Sequence, residues 1–319
     1  MEYNKLIAEM SLSDEVEGFY VLKAAYPKTT ATGKPFLSAS LSDRSGSIEI
    51  KVWDYSGPIS SADEGNVVKI RGNVSEFRGT PQITVDRIRL ADDNDTYDLS
   101  ALVPVAPIDV DTTMAEVERL ISSITDADYR KICSTMMARH KESLKTIPAA
   151  KSVHHGFISG LLMHTATMMK TADFLAGLYG DIIDRSLLFA GTFLHDFAKE
   201  KEFTFSQLGL VTEYSVKGQL LGHLVMGAQE VAAVASELGI PEDKSVLLQH
   251  MILSHHGEPE FGAAVKPICA ESELLSQIDM LDSRMEIYRE TLAGLQVGEV
   301  SSRIFALDKR VFKPHELNG

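Results

Sequence analysis

Cysteine is scarce in this chain and tryptophan almost absent, with two of the first and one of the second among 319 residues. Cys133 and Cys269 lie far apart and form no CxxC pair, which excludes a disulfide framework and a thiolate zinc site. No apolar run approaches the length of a membrane span, and the N-terminus MEYNKLIAEM carries charges where a signal peptide needs an apolar core. We therefore expect a reduced, cytoplasmic protein without a membrane partner.

Basic residues are also few relative to acidic ones, with 31 Lys and Arg against 45 Asp and Glu, which gives a net charge of −14. This argues against a protein that coats nucleic acid by bulk electrostatics. The acidity is uneven: residues 11–91 contain ten acidic and ten basic side chains, whereas residues 92–319 contain 33 acidic and 20 basic ones. If the C-terminal part binds a polyanion, it needs a localised positive feature such as a bound metal.

The first part of the chain has the pattern of short strands. Residues 11–90 are rich in Val, Ile and aromatic residues, and turn signals such as TATGKP, DRSGS and FRGTP interrupt them. Five such strands predict a small barrel. The segments SDRSGSIEIKVWD and VVKIRGNVSEFRGTPQITV resemble an OB-fold, in which strand-turn-strand units close a barrel.

An OB-fold implies a set of candidate nucleic-acid contacts. OB-folds often bind single strands through aromatic stacking and basic side chains on the central strands and the adjoining loops. The candidates here are Lys28, Lys34, Phe36, Lys51, Trp53, Phe77 and Arg78. Two structural alternatives to nucleic-acid binding stay open. Trp53 and Phe36 would also suit the barrel core, and alternating basic residues are ordinary on a solvated strand.

The rest of the chain is predicted to be helical. Residues 91–111 combine an acidic cluster with two prolines and are interpreted as a linker. From 112 to 300 apolar residues recur three or four apart, which predicts an all-α domain with a loop between Glu200 and Gln219. Residues 301–319 form a tail with no recognisable chemistry. The fold class is thus multidomain, a β-barrel followed by a helical domain.

The pair His195-Asp196 follows a segment, Ile182 to Leu194, with apolar residues at helical spacing. The pair should therefore face the core. A buried carboxylate beside an imidazole costs several kcal/mol unless positive charge lies near it, and a divalent metal commonly supplies that charge. For this dipeptide alone, a core histidine hydrogen-bonded to its neighbour would be the simpler interpretation.

Further potential metal ligands recur along the helical part. In order they are His164, His195, Asp196, His223, His255, His256 and Asp279, on separate predicted helices except for the two adjacent pairs. Imidazole and carboxylate without thiolate suit Mn, Fe, Co, Ni or Zn. Seven ligands exceed one tetrahedral site and suit two metals bridged by a carboxylate.

The order H, HD, H, HH, D resembles the HD superfamily of metal-dependent phosphohydrolases. The phrases HHGFISGLLMHT, FLHDFAKE, GQLLGHLVMG, HMILSHHGEPEFG and AESELLSQIDMLDSR resemble the YhaM family in particular. In that family an OB domain precedes an HD domain, as it would here over residues 15 to 290. The resemblance implies a 3′-to-5′ exoribonuclease that acts on single-stranded RNA, with DNA as a further partner.

The resemblance also implies roles for single residues. One divalent ion, with manganese expected first, would be held by His164, His195, Asp196 and Asp279, and a second by His223, His255 and His256 with Asp196 as the bridge. Adjacent helical residues diverge by about 100°, so the alternative stays open that one of His255 and His256 instead binds phosphate or holds an outer contact. Such a pair of ions acidifies a bridging water, and Lys199 would bind a phosphate oxygen unless it is only a solvated helix-end cation. Ala198 departs from the glycine usual in related proteins. Independently of the resemblance, His154 and His155 lie at a predicted helix start, where they would touch substrate or only cap the helix, and Asp282 lies one turn after Asp279 and close to it.

Two other functions stay open at this point. The HD chemistry would also suit hydrolysis of a small nucleotide, with the barrel serving assembly or regulation. A non-enzymatic single-strand-binding protein with structural histidines is the alternative from a different class. A homo-oligomer is compatible with all three.

Overall fold

The computed structural model describes residues 2–77, 79–150, 156–206 and 208–316. The chain divides into two compact units, Met1–Val105 with Phe205–Leu210, and Ala106–Thr204 with Val211–Gly319.

The first unit is a closed barrel. Its strands are β1 (Glu2–Tyr3), β2 (Glu15–Thr29), β3 (Pro35–Asp43), β4 (Gly46–Trp53), β5 (Val67–Phe77) and β6 (Thr80–Leu90). They follow the order β1-β2-β3-β4-β6-β5, and a further pairing of β2 with β5 closes the sheet on itself. The predicted OB-type barrel is confirmed.

The barrel closes because β2 is long enough to serve two neighbours. Its first half pairs with β5 and its second half with β3, with a shift of register between Leu22 and Ala24. A second shift of register lies at Gly72, where a Cβ would be 2.4 Å from the carbonyl oxygen of Thr84. Only glycine permits that approach of the two backbones, which bends β5 around the core.

Alternating side chains of the barrel strands form its core. Leu37, Leu41, Ile48, Ile50, Ile70 and Ile83 are all buried there. Trp53 belongs to the opposite, outer face and is 52% exposed. The alternative that Trp53 fills the core is therefore wrong, because its position in the alternation of β4 directs it outward.

The second unit is largely helical. Its helices are α2 (Val110–Ser122), α3 (Ala127–Thr146), α4 (Gly160–Leu178), α5 (Arg185–Leu194), α6 (Lys199–Glu202), α7 (Val216–Leu238), α8 (Glu242–Ser254) and α9 (Ala270–Ala293), while α1 (Leu99–Leu102) precedes them in the first unit. A hairpin of β7 (Phe203–Phe205) and β8 (Val211–Tyr214) interrupts them. Among the helices described, none has both the length and the apolarity to cross a bilayer.

The prediction of a loop between Glu200 and Gln219 is wrong, because this segment has regular secondary structure. The segment contains α6, the hairpin and the first turn of α7. The Ser215 side chain accepts a hydrogen bond from the Gly218 N–H, which starts α7 ahead of its periodic apolar stretch. The Ser215 N–H donates to the carbonyl oxygen of Glu202 and ties this start to α6.

Helix α5 lies in the core of the helical domain. Every residue from Ser186 to Leu194 is buried, and Asp184 caps the helix by accepting from the N–H groups of Ser186 and Leu187. At Gly191 a Cβ would lie within 2.4 Å of the Met251 side chain on α8. Because α5 is enclosed in this way, the residues directly after Leu194 emerge inside the domain rather than at its surface.

A buried cluster around His140 joins α3, α6 and α7. His140 Nδ1 lies 2.5 Å from Glu200 Oε2, and His140 Nε2 lies 2.9 Å from Glu230 Oε1. The Lys201 ammonium donates to the other oxygen of Glu230 at 2.7 Å. Burial alone would lower the pKa of His140, but the hydrogen bonds with both carboxylates outweigh it and raise that pKa to about 9.

This cluster should make stability depend on pH. A folded-state pKa of about 9 against the ordinary 6.5 means that protonated His140 stabilises the fold fully below pH 6.5. The contribution, roughly 3 kcal/mol at most, is lost as the pH rises through 9. We expect His140→Gln to lower the free energy of unfolding, measured in urea, by more at pH 6 than at pH 9.5. Equal losses at both pH values would contradict this.

Candidate metal centre

Elements from across the helical domain bring the seven predicted ligands to one point. His164 lies on α4, His223 on α7 and Asp279 on α9, while the two adjacent pairs follow the last residues of α5 and α8. The ligands form two groups, and within each group the ligand atoms lie within 4.8 Å of one another. The first group is His164, His195 and Asp196, and the second is His223, His255 and His256. Residues more than 100 positions apart in the sequence are thus neighbours in the interior.

The first group surrounds one oxygen of Asp196. Asp196 Oδ2 lies 3.3 Å from His195 Nε2 and 3.9 Å from His164 Nε2. His164 Nε2 is in turn 3.3 Å from His195 Nε2 and 3.3 Å from Asp279 Oδ1. Two imidazole nitrogens and two carboxylate oxygens therefore converge on one side of Asp196.

The second group faces the other oxygen of the same carboxylate. Asp196 Oδ1 lies 3.4 Å from His223 Nε2 and 3.7 Å from His255 Nε2. The His256 ring lies 4.4 Å from the His255 ring and 5.2 Å from the His223 ring, centroid to centroid. Asp196 thus faces both histidine groups, one with each oxygen. Asp279 makes a similar, longer link, since its Oδ1 lies 3.3 Å from His164 Nε2 and its Oδ2 lies 4.0 Å from His255 Nε2.

The second group also contains buried polar atoms without partners. Within the described part of the chain, Asp196 Oδ1, His223 Nε2, His255 Nε2 and His256 Nδ1 are buried and make no hydrogen bond. Buried polar atoms are nearly always satisfied, so the three that converge here, Asp196 Oδ1 with His223 Nε2 and His255 Nε2, indicate a ligand. A divalent cation satisfies acceptor atoms of this kind at once, and the residues fit such an ion.

The protonation of His255 and His256 agrees with this fit. Burial holds the pKa of His255 well below its ordinary value, with His195 and His256 adding to the effect. Burial also lowers the pKa of His256, together with the neighbouring His223. Both rings are therefore neutral near pH 7 and offer lone pairs, which is the state in which imidazole binds a metal. His164 differs, because its hydrogen bonds with Asp279 and Asp282 outweigh burial and raise its pKa to about 9, so a metal there would displace a proton.

Outer hydrogen bonds fix the histidine rings so that Nε2 points to the centre. His164 Nδ1 lies 2.6 Å from Asp282 Oδ2. His195 Nδ1 and His255 Nδ1 lie 2.7 and 2.8 Å from the backbone oxygens of Thr192 and Ile252, three residues earlier in the chain. Such partners at the second ring nitrogen set the tautomer and raise the basicity of the first.

Glu202 does the same for His223, and the sequence analysis missed it. This buried carboxylate accepts from the His223 backbone N–H at 2.9 Å and lies 3.0 Å from His223 Nδ1. A Cβ on Gly218 would lie 2.2 Å from the Glu202 carbonyl oxygen, so the glycine permits this approach. The stretch KEKE looks like a solvated helix end, and no local pattern marks its last residue as buried.

A kink in α7 sets the position of His223. Gly222 has φ 70° and ψ 163° in the middle of the helix, a conformation essentially confined to glycine. The kink releases the His223 N–H from the helical ladder, and Glu202 accepts it instead.

Lys199 lies inside the centre rather than at a solvated helix end. Its ammonium is 2.5 Å from Asp196 Oδ2, and its side chain is only 13% exposed. Burial alone would raise the pKa of Asp196, but Lys199 first and His195 next outweigh it and hold that pKa well below its ordinary value. Asp196 is therefore a carboxylate at every physiological pH.

Ala198 is fully buried. A Cβ placed on Gly227 of α7 would meet the Ala198 methyl group at 3.6 Å, an ordinary van der Waals distance. His154 and His155, the other predicted contacts, lie outside the described residues.

On the barrel, the predicted nucleic-acid contacts share one outer face. Phe36 and Trp53 are cross-strand partners on β3 and β4, with ring centroids 5.2 Å apart. Lys51, two pairs further along and so on the same face, donates to the Ser38 hydroxyl at 2.6 Å. Lys34 lies 3.7 Å from the Asp54 carboxylate.

Lys28 is the partner of Phe36 on the neighbouring strand β2. The other two predicted contacts are at the end of β5. Phe77 ends β5 and is 58% exposed. Arg78, which follows it, lies outside the described residues.

A groove beside Trp53 was not predicted. It has a volume of about 660 Å³, and its lining includes Trp53, Tyr55 and four basic residues, Lys69, Arg71, Arg87 and Arg89. Three acidic residues, Glu17, Asp54 and Asp86, line it as well, and Glu17 lies 3.5 Å from Lys69. The register places Arg71 opposite Arg87 and Lys69 opposite Arg89. Among the residues described, Arg71 and Arg87 are exposed and form no ion pair, whereas Arg89 binds Asp95. Only the strand register reveals the groove, because the sequence shows merely alternating basic residues.

Comparisons with known proteins agree with this architecture. A family model described as OB-fold nucleic acid binding domain matches residues 24–91, and a model described as HD domain matches residues 161–284.

Among solved structures, the second OB-fold domain of replication protein A from Methanococcus maripaludis is 21% identical over 30% of this chain and 100% of its own, with a TM-score of 0.23. An OB domain from Thermoplasma acidophilum is 19% identical over 30% and 92%, with a TM-score of 0.25. At these TM-scores the likenesses add nothing to the family match.

The chain therefore combines an OB-fold barrel with an HD domain. The HD domain indicates a metal-dependent phosphohydrolase, and the barrel in front of it indicates a nucleic-acid-binding one. The His and Asp groups described above are where the chain could hold its metal.

The kink at Gly222 yields a test of the site's construction. Gly222→Ala forces a Cβ into a glycine-only conformation and should cost about 1–3 kcal/mol of unfolding free energy. Gly177→Ala on α4, where a Cβ meets open space, is the matched control and should be neutral or stabilising by up to about 1 kcal/mol. Urea unfolding of both variants measures the difference, and similar effects of the two changes would count against the proposed strain.

Proposed function

We propose that this protein is a metal-dependent exonuclease that removes nucleotides from the 3′ end of single-stranded RNA or DNA. The observation that carries the proposal is Asp196, whose two oxygens face two separate histidine groups in a chain that also has an OB-fold barrel. The polarity and the preference for RNA rest on the resemblance to the YhaM family.

The ligand roles follow from the two groups. His164, His195, Asp196 and Asp279 would hold one ion, and His223, His255 and His256 would hold the second, with Asp196 shared between them. Manganese is the first expectation among the metals that suit this donor set. When bound, two such ions lower the pKa of a water molecule and neutralise the charge that develops on a phosphate.

The protein's own groups would then orient the scissile phosphodiester. Lys199 carries a buried ammonium beside Asp196, where it would contact a non-bridging phosphate oxygen and stabilise the transition state. Asp282 and Glu202 would keep His164 and His223 in the tautomer that presents Nε2. Attack of water on phosphorus breaks the P–O3′ bond, which leaves a shortened strand with a 3′-hydroxyl and a nucleoside 5′-monophosphate.

The barrel would supply most of the affinity for the strand. The exposed Trp53 and the half-buried Phe36 beside it offer aromatic surface for stacking, and Lys51, Arg71 and Arg87 offer cations for phosphates. The barrel has as many basic as acidic residues, so binding would depend on where the basic residues lie and not on net charge.

Asp196→Asn is the direct test of the chemistry. Removing the shared carboxylate should lower hydrolysis of an end-labelled single strand by at least about 10³-fold in the presence of Mn²⁺. Metal content, measured by mass spectrometry, should fall from about two ions per chain. Strand binding should persist, and Asp181→Asn, a change at an exposed carboxylate, is the control that should keep full activity.

The same assay separates the competing functions. A ladder of shortened strands supports the exonuclease. Turnover of mononucleotides or cyclic nucleotides with intact strands would favour the small-nucleotide phosphohydrolase. No metal-dependent hydrolysis of any substrate, with Asp196→Asn like the wild type, would leave only the binding protein.

Substitutions on the barrel should change binding without changing the chemistry. Trp53→Ala should weaken single-strand affinity by about 1–3 kcal/mol through lost stacking. Arg71→Gln combined with Arg87→Gln should reduce the slope of affinity against salt by about one per lost phosphate contact. Fluorescence anisotropy at several salt concentrations measures both, with Phe312→Ala as the aromatic control on the helical domain. Unchanged affinity in both barrel variants would exclude this face of the barrel as the binding surface.

A further inference from the structure

A cleft of about 450 Å³ lies directly beside the candidate metal centre. Three of the predicted ligands, His255, His256 and Asp279, form part of its wall. The remaining wall comes from the loop after α8, from α9 and from Ala306 in the C-terminal segment. A volume of this size lies in the range of small-molecule sites, and a phosphate at the metal ligands would extend its substituent into the cleft.

The loop after α8 is held rigidly against the centre. Gly257 has φ +76° and approaches α9 so closely that a Cβ would lie 2.6 Å from Ser276 Oγ. Gly262 has φ +101°, and a Cβ there would lie 3.2 Å from His256 Nδ1. Both glycines therefore fix the short turn between them, which carries Phe261, relative to the predicted ligands.

This loop and α9 present apolar surface to the cleft. Phe261 is 70% exposed and Met280 is 42% exposed, although both line a concave wall next to a polar centre. Met280 directly follows the ligand Asp279 on α9. An exposed aromatic ring beside a flexible thioether offers a stacking surface for a planar group.

Of the two lysine and arginine side chains that line the described part of the cleft, Lys266 is paired and Arg284 is not. Glu258 is paired with Lys266 at 2.5 Å, and Glu273 accepts from the Gln277 amide at 3.0 Å. Arg284 is half-buried and has no hydrogen-bond or ion-pair partner among the residues described. It lies five residues after Asp279 on α9, roughly 7.5 Å further along the helix axis. A guanidinium at that distance would reach the sugar or base of a nucleotide whose phosphate lies at the metal ligands.

We propose that this cleft binds the nucleoside attached to the scissile phosphate, with Phe261 and Met280 stacking on the base and Arg284 hydrogen-bonding to the sugar or base. The inference rests on the proposed function and specifies where the released nucleotide is held. Stacking reads the flat face that all bases share, so this subsite tolerates every sequence. It also explains why mononucleotides, and not longer fragments, would be the product.

Two chromogenic diesters that differ only in the nucleoside test the proposal. They are thymidine 5′-(4-nitrophenyl phosphate) and methyl 4-nitrophenyl phosphate, both assayed with Mn²⁺. We expect the wild type to prefer the thymidine ester, and Phe261→Ala to reduce that preference about ten-fold to a hundred-fold, mainly through KM. Phe261→Tyr should restore it. Arg284→Gln should reduce it as well, and all three variants should keep the metal content of the wild type.

Phe174→Ala, which removes an equally exposed ring on α4, is the matched control and should leave the preference unchanged. A preference that survives Phe261→Ala would overturn the subsite. If the wild type hydrolyses neither diester nor any strand, the proposed function fails, and binding of thymidine 5′-monophosphate by calorimetry then decides the subsite alone. Binding that Phe261→Ala weakens supports the cleft, and no binding to the wild type refutes it.

Discussion

The structure of the helical domain depends on one buried carboxylate. Asp196 is 3% exposed and presents each of its oxygens to a different pair of histidines. A carboxylate in that position is tolerable only with positive charge next to it, since desolvation of an unpaired charge costs several kcal/mol. Lys199 supplies part of that charge, and the unsatisfied atoms around Asp196 Oδ1 indicate that a cation supplies the rest.

Much of the surrounding architecture serves to hold that carboxylate and its histidines in place. The enclosed helix α5 delivers the His195-Asp196 pair to the interior, and the kink at Gly222 turns His223 toward it. Asp282 and Glu202 fix two of the imidazoles from outside. Because these constraints come from separate elements, the geometry of the centre is preorganised by tertiary packing and not by any single helix.

The two domains would attract a polyanion such as a nucleic acid by different means. The helical domain is acidic, so attraction of a phosphodiester there has to come from a local concentration of positive charge at the metal centre. The barrel has balanced charge, and its register gathers basic side chains from β5 and β6 into one groove beside an exposed tryptophan. Affinity and hydrolysis would therefore be separable properties, located in different domains.

The features that could be predicted from the sequence are those set by local patterns of side chains. The change from strand-like to helix-like periodicity near residue 91 predicted a barrel followed by a helical domain, and the apolar helical stretch before Asp196 predicted that this carboxylate is buried. The start of α7 and the role of Glu202 were not predicted. They depend on a serine cap and a glycine kink whose effects appear only when α6 and α7 pack together. The exposed position of Trp53 needed the alternation within the folded barrel.

The sequence by itself determined the kinds of side chain available: imidazoles and carboxylates without thiolates, in an order typical of HD domains, behind a strand-rich segment. Only the tertiary structure decided which oxygen of Asp196 faces which histidines, that Arg71 lies opposite Arg87, and that Phe261 lines a cleft beside Asp279. The physical reason is that composition and periodicity are local properties of a chain. Distances between residues far apart in sequence depend instead on strand register, on helix packing and on the few glycines that let two backbones approach.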